Sequence, residues 1–337
     1  AFEFIDDSSF SIKNLYFNDG LSEFKIGEVT LIDLDYYAIN KIKINSDIKI
    51  NLFDKIIIKE YSYKEDNIDH FIDHFEISNL NINNASLIYE FLNSLDFFNF
   101  ENIYYILDTI SFNEFIINGA KIAEIDYYGE WERFEFSNYK DMNFETILLE
   151  NYYFNEEEIE QEGKLVKIKD LEFNRPQNIL YFDYNSPDLF FSIFKSLDNF
   201  MIKDFWHKDK FDNVTINGDL YEISNLNTVE IDNLLFPVTL DFNLKNVYFT
   251  DLDPEYSMYL NMLGYDDLAF DLNFQSSINY QKEEFTISLD TSIYDAFGFK
   301  TKLLFSNLDI NSLNLSNDIE LIEYFSNEFK FNLFEIE

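Results

Sequence analysis

Apolar and polar residues alternate along much of this chain. In VTLDFNL (238–244), Val238, Leu240, Phe242 and Leu244 are separated by Thr239, Asp241 and Asn243. LAFDLNF (268–274), FTISLDTSI (285–293) and KIKINSDIKINLF (41–53) share that period of two. Successive side chains of a strand point to opposite faces, so this pattern predicts strands with one dry face and one wet face. Buried parallel strands read as unbroken apolar runs, and alternation therefore favours antiparallel pairing.

Helical signals interrupt the strands. In SPDLFFSIFKSLDNF (186–200), Ser186 suits a cap and Pro187 the first turn, and Leu189, Phe190, Ile193, Phe194 and Leu197 share one helical face. In DPEYSMYLNMLG (253–264), Asp253 caps, Pro254 opens and Gly264 closes a second helix. NASLIYEFLNSLDFF (84–98) and SNDIELIEYFSNEF (316–329) are further helical segments. Each of the four follows a strand: FEISNLNIN (75–83), VKIKDLEFN (166–174), VYFTDLD (247–253) and LLFSNLDI (303–310). FLNSLDFF (91–98) and FNEFIING (112–119) also return as IFKSLDNF (193–200) and FDNVTING (211–218). The expectation is a mainly β, α+β fold, with an elongated antiparallel sheet built from degenerate strand–helix–strands repeats and short capped helices. Its parts are an N-terminal β layer (1–74), units at 75–165, 166–246 and 247–302, and a partial unit at 303–337. The partial unit would present an open strand edge.

Charge narrows the partners. The 337 residues carry a formal charge of −40, with Arg133 and Arg175 as the only arginines. Such a surface repels phosphate backbones and anionic head groups, which argues against nucleic acid and against direct binding to anionic membranes. No cofactor is required by any motif. Ca²⁺ fits the carboxylate-rich surface, although a solvated surface with diffuse counterions also explains it. With 8 Gly and 4 Pro, turns must rely on Asn and Asp. The chain has no Cys, so thiolate chemistry and disulfides are absent. No apolar run is long enough for a spanning helix. Ala1 suits the first residue after signal cleavage, which points to export, to a periplasm or an extracellular surface.

The candidate chemistry is sparse. HFIDHFE (70–76), read as a helix, sets His70 and His74 one turn apart with Asp73 beside them. The spelling approximates the inverted zinc-peptidase motif, with Glu150 as a possible third ligand, but Asp stands where the catalytic Glu belongs. A buried stripe of Ile68, Phe71, Ile72 and Phe75 would leave both histidines on the wet face. Carboxylate pairs in IDLDYY (32–37), DYYGEWE (126–132) and YDD (265–267) could serve glycoside hydrolysis, but pairs are everywhere in so acidic a chain. Nucleophile-elbow, dinucleotide, phosphate-loop and EF-hand spellings are missing. His207 has no visible catalytic partner and reads as a surface residue. No catalytic residue is assigned, and the chain reads as a non-enzyme.

LNMLGYDDLAFDLNFQSSINYQKEEFTISLDTSIYDAFGFKTKLLFSNLDI (260–310) resembles a unit of uncharacterised bacterial exported β-rich proteins, in which a helix ending in LGY precedes alternating strands. VKIKDLEFNRP (166–176) resembles the strand that opens such units. The resemblance implies export and supplies no activity. Two functions are expected. One is a structural or assembly protein that joins itself or another protein through exposed strand edges. The other is a carrier that holds a lipid or other apolar ligand in an aromatic-lined β groove.

Overall fold

A computed structural model describes residues 2–35, 37, 50–82, 107–173, 194–211, 214–231, 234–250, 254–264, 268–279, 281–282, 284–294, 297–306 and 330–336. The strands are β1 (Phe2–Phe4), β2 (Phe10–Asn18), β3 (Ser22–Ile32), β4 (Ile50–Glu65), β5 (Ile68–Ile82) and β6 (Ile110–Ala123). They continue as β7 (Tyr127–Tyr139), β8 (Asn143–Glu156), β9 (Ile159–Phe173), β10 (Phe194–Asp209) and β11 (Val214–Ile231). The last are β12 (Leu234–Thr250), β13 (Leu268–Asn279), β14 (Glu284–Ile293), β15 (Phe297–Ser306) and β16 (Lys330–Ile336). A helix, α1 (Pro254–Leu263), lies between β12 and β13, and residues 107–109 form a single helical turn before β6. All strands belong to one 16-stranded sheet whose spatial order is the chain order. Every pairing is antiparallel, and β1 and β16 form the two edges among the described residues.

The mainly antiparallel β expectation holds, and so does the helix at 254–264. Gly264 ends α1 at φ +88, with its N–H donating to the Asn261 carbonyl at 3.0 Å. That is the left-handed closure glycine permits. Asp253 lies outside the described residues. The strand–helix–strands unit is not what the sheet repeats. Strand follows strand, residues 194–200 of the expected second helix are strand in β10, and the boundaries at 75, 166 and 303 fall inside β5, β9 and β15. The segments 84–98, 186–193 and 316–329 lie outside the described residues. The paired ING spellings are not equivalent either. Gly119 adopts φ +58 in β6, whereas Gly218 in β11 sits one position away from the corresponding row.

That row is the organising feature. Lys13 faces Glu28 and Leu15 faces Ile26, so Asn14 falls opposite Gly27. The same bracketing continues the line through Glu60, Asp73, Gly119, Glu132, Asn151, Lys164, Asp204, Asp219 and Asn246, from β2 to β12. Every second residue of this lower row is left-handed: Asn14, Glu60, Gly119, Asn151, Asp204 and Asn246 have φ between 46 and 58. Six positions away on each strand runs an upper row: Asp33, Asp54, Asn79, Asn113, Asn138, Glu145, Asp170, Asp198 and Asn225. Here Asp33, Asn79, Asn138, Asp170 and Asn225 are left-handed, on the strands that the lower row skips.

Each row shifts which residues face the apolar side. The core joins Ile77 to Leu80, Phe112 to Phe115, Phe136 to Tyr139, Ile168 to Leu171 and Ile223 to Leu226, each a step of three in a strand that otherwise steps by two. Across the lower row, Ile202 and Phe205, Ile216 and Tyr221, and Leu244 and Val247 line one cavity. At each row two consecutive residues therefore point away from the apolar side. The polar face is therefore the longer path at each row, and the strands crease there. Because neighbouring strands carry the extra residue at the same level, register survives and the crease runs straight across the sheet.

Short polar side chains stitch the creases. Asn246 Nδ2 donates to Asp219 at 3.1 Å, and Lys164 meets Asp204 at 3.2 Å. Asn138 reaches Glu145 and Asn151 reaches Glu132 in the same way. Asn and Asp tolerate left-handed backbone better than other side chains, which explains their prevalence here. At β12 register shifts absorb both creases, and β13 to β15 pair without irregularity.

Candidate apolar groove

The creases divide the apolar face into three bands. Above the upper crease, Phe112, Tyr139, Phe144, Leu171, Leu197 and Leu226 form a buried row, each cross-strand from or next to the last, and Phe53 extends it beyond Leu80. Tyr139 is fully buried, and its hydroxyl donates to the Leu107 carbonyl at 2.6 Å. Aromatic rings thicken this band, as in Tyr139 against Phe144 at 4.2 Å and Phe112 against Tyr139 at 5.3 Å.

The middle band differs. Ile56, Ile58, Phe75, Ile77, Phe115, Ile117, Phe134, Phe136, Ile147, Leu149, Val166, Ile168, Phe200, Ile202, Tyr221, Ile223, Phe242 and Leu244 form a continuous apolar floor, and each is only partly buried. Their rings touch edge to face along the floor, Phe75 against Phe115 at 5.2 Å and Tyr221 against Phe242 at 5.3 Å. Each keeps part of its surface in solvent, in contrast to the buried row above the upper crease.

Below the lower crease the floor sinks. Gly163 stands opposite both Tyr152 and Phe205, and Gly218 stands opposite Phe205 on the next strand. A Cβ on Gly163 would meet the Tyr152 ring at 2.7 Å, and one on Gly218 would meet the Phe205 ring at 2.6 Å. The rings can lie down only because those backbones are bare. Above them opens a cavity of about 350 Å³, within the size range of small-molecule sites. Its walls are chiefly Tyr152, Ile202, Phe205, Ile216, Tyr221, Leu244, Val247, Phe249 and Phe270, and Gln161 and His207 bring polar groups to one end. Burial pushes the Tyr152 phenol above its ordinary value. The indole N–H of Trp131, cross-strand from Tyr152, is buried without a hydrogen-bond partner.

The residues singled out for metal binding lie elsewhere. HFIDHFE belongs to β5, not a helix, and the lower crease passes between Ile72 and Phe75. His70 meets Glu124 at 3.0 Å and the Tyr63 ring, whereas His74 meets Glu76 at 3.4 Å. Asp73 is a crease residue packed against Gly119. Glu150 is on β8, with β6 and β7 between it and β5. Among the described residues no group of three or more metal-ligating side chains gathers. Phe71, expected in the buried stripe, is exposed.

The carboxylate pairs are likewise spoken for locally. Asp33 accepts from the Ser8 hydroxyl at 2.9 Å, and Asp35 accepts from the Tyr37 N–H at 2.8 Å. Glu130 accepts from the Tyr128 hydroxyl at 2.5 Å, which pushes that phenol up to about 12. Residues 265–267 lie outside the described residues. His207, expected on the surface, is half-buried opposite Gln161. Sequence reasoning missed the cavity, whose one legible signal is glycine spaced among aromatics in a chain poor in glycine. No helix among the described residues is long and apolar enough to cross a membrane.

No protein-family model matches the chain, and no curated protein or solved structure matches it.

Proposed function

We propose that this protein is a non-enzymatic carrier, exported from the cell, that holds the apolar part of a lipid or similar molecule along its creased sheet. The observation that carries this reading is the middle band, an aromatic and aliphatic floor spanning β4 to β12 on which no residue is fully buried. At about 4.8 Å per strand, those eight spacings give a floor of roughly 38 Å, long enough for an extended chain. Each methylene moved from water onto such a surface contributes about 0.8 kcal/mol. The acidic exterior keeps a protein with so much exposed apolar surface soluble. The test is titration of the delipidated protein with the neutral polarity-sensitive dye N-phenyl-1-naphthylamine. Saturable fluorescence enhancement, competed by a long-chain alcohol and lost in a folded Phe134→Asp/Phe200→Asp variant, supports the reading. No enhancement in the wild type rejects it.

The sheet edge supports a second reading, assembly by strand addition. Among the described residues β16 pairs with β15 alone, leaving one side of its backbone for another strand. Light scattering at physiological salt, with and without Ca²⁺, tests this: growth with concentration supports it, and a strict monomer rejects it.

A further inference from the structure

We infer that the sunken cavity over Gly163 and Gly218 is the seat of one chain of a single-chain amphiphile whose head group is neutral or cationic. The inference rests on the groove reading and makes it specific in place and in ligand. Three observations carry it. First, the site is shaped by backbone: the Tyr152 ring lies over Gly163 and the Phe205 ring over Gly218, at distances that leave no room for a methyl group. Second, the cavity is two-ended. Phe205, Ile216, Val247 and Tyr221 form its body, and His207 and Gln161, directly opposite one another, bring hydrogen-bonding groups to its lower rim. Such a gradient orients a ligand with its head at the rim and its tail running towards the middle band.

Third, charge selects the head. By strand alternation Asp209, two residues beyond His207, shares its face at this rim, in a protein of net charge −40. The cations nearby are Lys208, opposite Glu160, and Lys210, which donates to the Glu156 carbonyl at 2.5 Å and to Asn155. A carboxylate or phosphate head would be repelled at this rim, whereas a hydroxyl, amide or ammonium head would be accepted.

The experiment uses the full chain and a long-chain primary alcohol carrying a diazirine near its tail, with labelled peptides mapped by mass spectrometry. Labelling is expected in 200–223 and 242–249. The alcohol should compete with the dye at least tenfold better than the fatty acid of equal length. Ile216→Phe, which narrows the cavity without touching a glycine, should weaken the alcohol at least tenfold. Gly163→Ala should do the same, and Gly163→Ala/Tyr152→Ala should restore binding by removing the obstructed ring. Labelling confined to other strands, equal or better competition by the acid, or affinity within twofold of wild type in a folded Ile216→Phe variant would overturn the assignment. In each of those cases dye binding persists, so the groove reading stands; absence of all binding to the wild type removes both.

Discussion

A left-handed residue inside a strand costs backbone energy unless its side chain is absent or short, and the creases place such residues at alternate strands. Glu60 is the poorest fit among them, at φ 54 with an exposed side chain. Glu60→Gly should therefore raise stability by up to about 1 kcal/mol, and Asn151→Val should lower it by about 2 kcal/mol, since a β-branched side chain is worst tolerated there. Urea unfolding checks both. The tyrosines supply a second test at this scale. Tyr128, Tyr153, Tyr63 and Tyr294 donate to carboxylates that resist a second negative charge, and burial acts on Tyr61, Tyr127 and Tyr152. Their phenols titrate higher in the folded than in the unfolded chain. This contribution is fully present below pH about 10 and is lost as pH rises through the folded values, because the unfolded chain releases those protons first. Absorbance titration at 295 nm should show fewer phenolates at pH 11 in the native protein than in urea, with stability falling over the same range.

At the scale of the element, the bands differ in what they contribute. Phe144 belongs to the buried row and Phe134 to the partly buried floor. Phe144→Ala should cost about 3–5 kcal/mol, as for other buried aromatics, and Phe134→Ala clearly less, while Phe134→Ala weakens dye binding more. The same geometry explains what the sequence revealed. Strands β12, β13 and β14 are plain alternation over the stretches quoted first, and α1 carries Pro254 and Gly264 at its ends, so these elements were legible. The creases were not. A strand that steps by two and then by three places Leu197 and Phe200 three apart, and β5 places Ile72, Phe75, Ile77 and Leu80 at mixed intervals of two and three. Steps of three are also the signature of a helix face, which is why HFIDHFE and IFKSLDNF both read as helices. The cue that separates the two cases is a pair of polar residues, one of them often Asn or Asp, at every such step. Where the candidate site is concerned, alternation showed an apolar face, but only the pairing of Gly163 with Tyr152 and Phe205 shows where that face sinks.

Over the whole molecule, charge opposes folding and apolar surface drives it. The described ion pairs are mostly solvent-exposed, such as Lys13 with Glu3 at 3.2 Å and Lys59 with Glu28 at 2.9 Å, and each is worth at most about 1 kcal/mol. They cannot offset a net charge of −40. Raising NaCl from low to about 0.5 M should therefore raise the urea midpoint, because screening of self-repulsion outweighs the loss of those pairs. CaCl₂ at matched ionic strength separates a bound ion from diffuse screening: an extra gain would show specific carboxylate sites. The central proposal is that the apolar face takes an apolar molecule, and the most direct measurement of it is the dye titration of the delipidated full chain. The prediction is saturable binding that a long-chain alcohol displaces and that Phe134→Asp/Phe200→Asp abolishes without loss of β structure by circular dichroism. A wild-type protein that leaves the dye dark, or a folded double variant that binds it undiminished, would contradict the claim.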